Sequence, residues 1–126
     1  MRGLTAALLI SLPLCACAPK AADSPGQAPL ALDCTLSFEV QAVRLAAQPR
    51  LIPAPKEPGE PYRFYSTDSG AASYVITEQG APGHPAILMQ TAGGGQVKTT
   101  GCPYGDLKGY KQVRAYIDSL KAAARR

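Results

Sequence analysis

Between Leu32 and Ala122 the hydrophobic positions change period several times, and each change marks an element. At the start, Leu36, Phe38 and Val40 alternate as in a strand, whereas Leu36, Val40, Val43 and the Ala46–Ala47 pair line up as one face of a helix. The Ala-rich second half is poor in strand formers, which favours a helix over 35–47 with Asp33 as its N-cap. Gln48-Pro49 ends it, because the residue before a proline is pushed out of the helical region. Ile52 to Pro61 then carries four prolines and reads as an irregular surface loop.

Four strands are expected next. Tyr62 to Ser66 and Ser73 to Glu78 flank the turn-forming Thr67-Asp68-Ser69-Gly70 and form a hairpin. Gln79 to His84 is a loop, Pro85 to Thr91 a third strand, Thr91 to Gly95 a turn, and Gln96 to Thr100 a fourth strand. Alternation sets Tyr74 and Ile76 on one face of the sheet and Val75 and Thr77 on the other. The last element is the plainest. Leu107, Tyr110, Val113, Ile117 and Leu120 recur at helical spacing behind Asp106, predicting an amphipathic helix over 106–122. Arg114 and Asp118 stand i, i+4 on its flank and are expected to pair weakly. The fold class is therefore α+β: a small antiparallel four-stranded sheet flanked by an N-terminal and a C-terminal helix, both on one face, the other face partly solvated.

The first residues follow a different logic. Met1-Arg2 is a short charged start, and Leu4 to Leu14 (LTAALLISLPL) is apolar and uncharged. That run has the length of a signal peptide's core and falls short of the roughly 20 residues a membrane-spanning helix needs. Small residues follow in Cys15-Ala16-Cys17-Ala18. Ala16-Cys17-Ala18 has the form an ordinary signal peptidase cuts, which would release a secreted protein beginning at Pro19. Proline, with fixed φ and no N–H, fits badly just after a scissile bond. The alternative is Leu14-Cys15-Ala16-Cys17, which resembles the bacterial lipobox. The resemblance covers the first 17 residues and implies a lipoprotein cut before Cys17 and lipidated there. In the family such a cysteine carries enough acyl chains for stable anchoring. Ala18, where inner-membrane retention uses Asp, implies the outer membrane, with the domain facing the periplasm. The organisation is then a signal peptide over 1–16, the lipidated cysteine and an Ala/Pro-rich tether over 17–31 (CAPKAADSPGQAPLA), and one domain over 32–126.

With Cys17 blocked by lipid, Cys34 and Cys102 remain, and an oxidising compartment favours a bridge between them over two free thiols. It would close a loop of about 70 residues, worth roughly 4 kcal/mol in the chain-entropy model. For a domain of this size that is a large share of total stability. No C-x-x-C pair and only one histidine are present, so no metal site or other cofactor is expected.

The net charge of +4 is uneven. From Lys98 onward seven basic residues face only Asp106 and Asp118. Lys108, Lys111, Arg114, Lys121, Arg125 and Arg126 thus form a possible basic surface on the last helix and tail. Its functional reading is contact with anionic lipid headgroups or an envelope protein; its ordinary reading is a solvated helix face whose cations offset the dipole. Nucleic acid is not an expected partner for an exported, anchored chain. His84, the one candidate base, sits in a Gly-Pro loop, and Ser66, Ser69 or Ser73 would have to meet it across the sheet for a hydrolase. Glu57, Glu60, Asp68 and Glu78 are the candidates for a paired-carboxylate site. Gly93-Gly94-Gly95 lacks the G-K-[ST] and helix of a phosphate loop and reads as a hairpin turn. Tyr62, Arg63 and Tyr65 form a binding surface if that sheet face is open, and core with polar edges if it is covered. The expected function is a non-catalytic, membrane-anchored binding or accessory module. The alternatives are a small periplasmic hydrolase using His84 and an inhibitor of an envelope enzyme.

Overall fold

A computed structural model describes residues 28–124, with side chains through Leu120. The elements run α1 (Phe38–Ala46), β1 (Leu51–Pro53), β2 (Tyr62–Thr67), β3 (Ala72–Thr77), β4 (Ala86–Gly93), β5 (Gln96–Pro103) and α2 (Leu107–Ala124). The chain is α+β, as the patterning implies, but the sheet has five strands rather than four, in a continuous antiparallel meander β1-β2-β3-β4-β5. The extra strand is β1, three residues at the edge that pair Leu51 with Thr67 and Pro53 with Tyr65. It starts one residue before the stretch expected to be an irregular loop and ends inside it. Proline is tolerated there because an edge strand has one unpaired side.

The central strands keep the expected alternation. Tyr74 and Ile76 point to one face, while Val75 and Thr77 point to the other. At the far end Gly94 and Gly95, both at positive φ, close the β4–β5 hairpin between the paired Gly93 and Gln96. A two-residue turn of this kind requires that left-handed backbone at both positions.

The helices correct the expected layering. They cover opposite faces of the sheet, not one. Tyr62, Val75, Ala86 and Leu88 pack with Tyr110, Val113 and Ile117 of α2 on one side. Ala72, Tyr74, Ile76, Ile87 and Met89 pack with Leu45 of α1 on the other, joined by Leu30, Leu32, Phe38 and Tyr104. The physical reason stands in β4, whose Ala86–Gln90 are all buried. A strand apolar on both faces has to be covered on both.

Helix α1 is shorter than expected and turned over. Ser37, not Asp33, is its N-cap, accepting from the Val40 N–H. Asp33 instead holds a preceding turn, its carboxylate accepting from the Thr35 N–H and hydroxyl. The helix buries Gln41 and Leu45, whereas Val40 and Val43 of the anticipated core face are 54% and 70% exposed. A fully buried amide at the centre of the contact face is stable only if its hydrogen bonds are met. Gln41 Oε1 accepts from the Asp33 N–H at 2.8 Å and from Arg44 Nη1 at 3.2 Å. Its Nε2 donates to the Asp33 carbonyl at 2.9 Å and faces the Tyr104 hydroxyl at 3.1 Å and Cys102 Sγ at 3.4 Å.

Cys34 and Cys102 form the expected disulfide, with Cα atoms 5.3 Å apart. It joins the chain ahead of α1 to the end of β5, beside the Gln41 amide. Helix α2 begins as expected at Asp106, whose carboxylate accepts from the Gly109 N–H at 2.7 Å.

Replacing Gln41 by Leu removes every one of these bonds while keeping an apolar side chain of similar bulk. The Asp33 backbone groups, bonded to Gln41 where the contact is only part-buried, lose those partners, and each net hydrogen bond lost is worth about 0.5–1.5 kcal/mol. Gln41→Leu is therefore expected to lower unfolding stability in urea by about 1–2 kcal/mol, with the disulfide intact. An unchanged or raised stability would show that the amide network holds nothing.

Candidate functional site

His84 is the residue on which an enzyme would depend, and its surroundings are those of a brace. It belongs to the loop between β3 and β4 and precedes Pro85 through a cis peptide bond. Its Nδ1 lies 2.8 Å from Thr77 Oγ1, and its ring meets Phe38 edge-on at 5.5 Å between centroids. Thr77 is 1% exposed, and its hydroxyl also bonds the Ala86 N–H and carbonyl. A hydroxyl so enclosed has no path to a substrate. Ser66 and Ser73, paired across β2 and β3, stand about four residues or ~13 Å along the sheet from Thr77. Ser69 is in the turn beyond them, bonded to Thr67 and the Ala71 N–H. The structure thus brings none of the candidate serines to His84.

The loop carrying His84 is pressed onto the start of α2. A Cβ on Gly109 would land on the Gly83 backbone, and one on Gly105 would come within 2.6 Å of the His84 carbonyl oxygen. Only glycine allows backbone to approach backbone this closely. These contacts explain why the Gly-Pro loop is ordered and why its histidine serves packing.

The acids are spread out and individually accounted for. Asp68 meets Arg50 at 3.9 Å, and Glu57 and Glu60 share a turn in which Glu60 Oε2 accepts from the Glu57 N–H. Glu78 accepts from Lys56 and lies 3.9 Å from Arg63. The Lys56 hydrogen bond, aided by the charges of Lys56 and Arg63, holds the Glu78 carboxyl below the ordinary glutamate range. A general acid needs the opposite shift. Among the described residues no group of three or more His, Cys, Asp or Glu is placed to hold a metal ion.

The basic surface is partly dispersed. Lys108 and Lys111 lie exposed on α2. Arg114 donates to the Thr99 carbonyl at 3.3 Å, while Asp118 accepts from the Thr99 hydroxyl at 2.8 Å. The expected i, i+4 pair therefore anchors to β5 rather than to itself. Lys98 follows the alternation of β5 onto the sheet face opposite α2. The side chains of Lys121, Arg125 and Arg126, like Cys17, lie outside the described residues.

A further surface feature takes in Tyr62, Arg63 and Tyr65, the aromatic strand flagged in the sequence, together with a proline segment, Pro53 to Lys56, that was expected only to be a loop. Beyond Pro53 the chain leaves β2, the Ala54 N–H making a last bond to the Phe64 carbonyl at 2.9 Å. The Pro-rich strap then arches away and returns at Pro61. Between strap and strand lies a notch of about 180 Å³, lined by Pro53, Ala54, Pro55, Lys56 and the edge of Tyr62–Tyr65. The Glu78 carboxylate, taking Lys56 from the strap and Arg63 from β2, ties the two walls together. Of the flagged aromatics, Tyr62 is core, stacked on Tyr116 at 5.5 Å, and burial pushes its hydroxyl pKa up. Tyr65 packs half-buried on the opposite face. The signal that could have found the notch was the adjacency of a proline strap to an aromatic strand.

No family model, curated protein or solved structure matches this chain.

Because the Glu78 carboxyl is held below its ordinary range, its ionised form is favoured in the folded state. Its contribution is present above the unfolded-state value and is lost as pH falls through the lower folded-state value. Acid is therefore expected to loosen the strap, and Glu78→Gln to reproduce that loosening at neutral pH. Amide exchange of residues 55–60 at neutral pH checks it: exchange should rise in Glu78→Gln while β3 and β4 stay protected. Equal protection of the strap in both proteins would contradict it.

Proposed function

We propose that this chain is a lipid-anchored component of a bacterial envelope, a non-catalytic binding module whose partner is another envelope protein. The anchor reading rests on the apolar run Leu4–Leu14 and the Leu14-Cys15-Ala16-Cys17 motif, with Ala18 directing it to the outer membrane. The Cys34–Cys102 bridge supports export, since it pairs the two cysteines that lipidation of Cys17 would leave. Among the described residues no helix is long and apolar enough to cross a membrane, so attachment would fall to the lipid.

The observation that carries the binding role is the notch between the strap and β2. At about 180 Å³ it is smaller than the roughly 300–1,000 Å³ of small-molecule sites and suits one side chain of a protein partner. Its walls are apolar, and its rim holds two cations, Lys56 and Arg63, that share the single carboxylate of Glu78. An apolar anchor residue next to an acidic one, on a partner's exposed segment, meets both features. Phosphate or nucleic acid would need more cations than the rim offers.

A photoreactive side chain at Ala54, introduced in the full-length chain in cells, is expected to give one dominant adduct with an envelope protein. Filling the notch with Ala54→Trp should weaken co-purification of that protein roughly tenfold or more, as loss of a central anchor contact does. Membrane-fractionated chain that forms no adduct, or whose capture survives Ala54→Trp, would contradict the proposal.

A further inference from the structure

The outer face of α1 is apolar where the domain gives no reason for it. Val40 and Val43 stand exposed within α1, with Ala46 and Ala47 exposed beyond them at its end. Val40 and Val43 are more than half exposed, while the side packed on the sheet uses Gln41, Leu45, Phe38 and Ala42. Valine is also a poor helix former. Neither helix propensity nor the core accounts for two valines here.

The path of the chain shows what this face is near. Ahead of α1 the backbone runs along the helix flank: the Tyr74 hydroxyl donates to the Leu30 carbonyl at 2.7 Å, and Arg44 donates to the Ala31 carbonyl at 3.2 Å. The Asp33 N–H then bonds Gln41. The chain thus enters the domain on the α1 side of the sheet. From Cys17 to Pro29 it can span at most about 45 Å, given roughly 3.3–3.6 Å per extended residue. A lipid at Cys17 therefore keeps the α1 side within a few nanometres of the bilayer.

We propose that the outer face of α1 seats the domain on the membrane surface, with Val40 and Val43 entering the boundary between headgroups and acyl chains. This rests on the lipid-anchor reading of Cys17. The tether confines the domain to an effective concentration in the millimolar range, so a weak intrinsic affinity suffices. The helix carries one acid, Glu39, and one base, Arg44, the latter spent on Ala31 and Gln41. The contact is therefore apolar, and it forms on zwitterionic lipid without need of anionic headgroups. Lys108, Lys111 and Arg114 lie on α2 across the sheet, turned to the periplasm in this orientation.

The sequence contains no tryptophan, so a single introduced one reports its own surroundings. The lipidated full-length chain, carrying Val43→Trp or as control Lys111→Trp, is reconstituted into phosphatidylcholine vesicles with or without brominated acyl chains. Residues seated roughly 5–10 Å into the interface lie within reach of bromine, so about twofold quenching with a blue-shifted emission is expected for Val43→Trp. Lys111→Trp should show neither, and high salt should change nothing. Adding Val40→Asp to the Val43→Trp chain should return its emission to that of the control. Vesicles that float with the protein while Val43→Trp emits as in water overturn the seating and leave the anchor standing. A chain that does not float overturns the anchor reading and the seating with it. A blue shift without bromine quenching, accompanied by a cross-linked dimer, assigns the face to a second copy and overturns the proposal.

Discussion

The Gln41 amide and the adjoining Cys34–Cys102 bridge decide how this chain begins. Leu30 to Ser37 has neither strand nor helix to hold it, yet it closes one face of the sheet. It stays there because Gln41 bonds both backbone groups of Asp33 and because Cys34 is covalently fixed to the end of β5. The same amide reaches Tyr104 and the Cys102 sulfur, so entry segment, first helix and last strand meet at one buried point. A polar group at such a junction specifies one arrangement, since any shift strands a donor or acceptor in the core. With that junction in place, α1 needs only Leu45 and its neighbours for contact, and its other side is free to be apolar.

A second junction does the corresponding work for α2. Gly83 and Gly109 allow the His84 loop to lie against the first turn of the helix, and Thr77 joins that loop to β3 and β4. The two junctions hold helices on opposite faces of one sheet, and β1, only three residues long, leaves Tyr62 to Phe64 of the β2 edge outside its pairing. The proline strap spans that edge. It both blunts an otherwise open strand and builds the notch.

Much of this was legible. Tyr62–Thr67, the alternation of Tyr74, Val75, Ile76 and Thr77, the glycine turn and the Asp106-led helix follow from period and turn chemistry. So does the bridge, from cysteine arithmetic. The side on which α1 packs was not legible, because Gln41 is a core residue only through partners that lie 8, 61 and 63 positions away in the chain. Local periodicity sees Val40 and Val43 as core and a glutamine as surface. The two-sided covering of the sheet was written in the unbroken apolar run Ala86–Met89, which the alternation in β3 had overshadowed. Strand β1 was hidden because three residues ending in proline carry no periodic signal, and the notch because its walls, Pro53–Lys56 and Tyr62–Tyr65, meet only once β1 has paired with β2. His84 and the serines were visible as residue types, but their separation is a property of the register alone.

The binding role and the membrane seating both require an exported chain, anchored at Cys17 and closed by one bridge. The most direct measurement is the intact mass of the protein purified from membranes, with thiols alkylated under denaturing conditions before and after reduction. The predicted result is a mass of residues 17–126 plus the diacylglycerol and N-acyl groups, with no alkylation until reduction exposes Cys34 and Cys102. An unlipidated mass beginning at Pro19, or a chain still carrying residues 1–16, would contradict it.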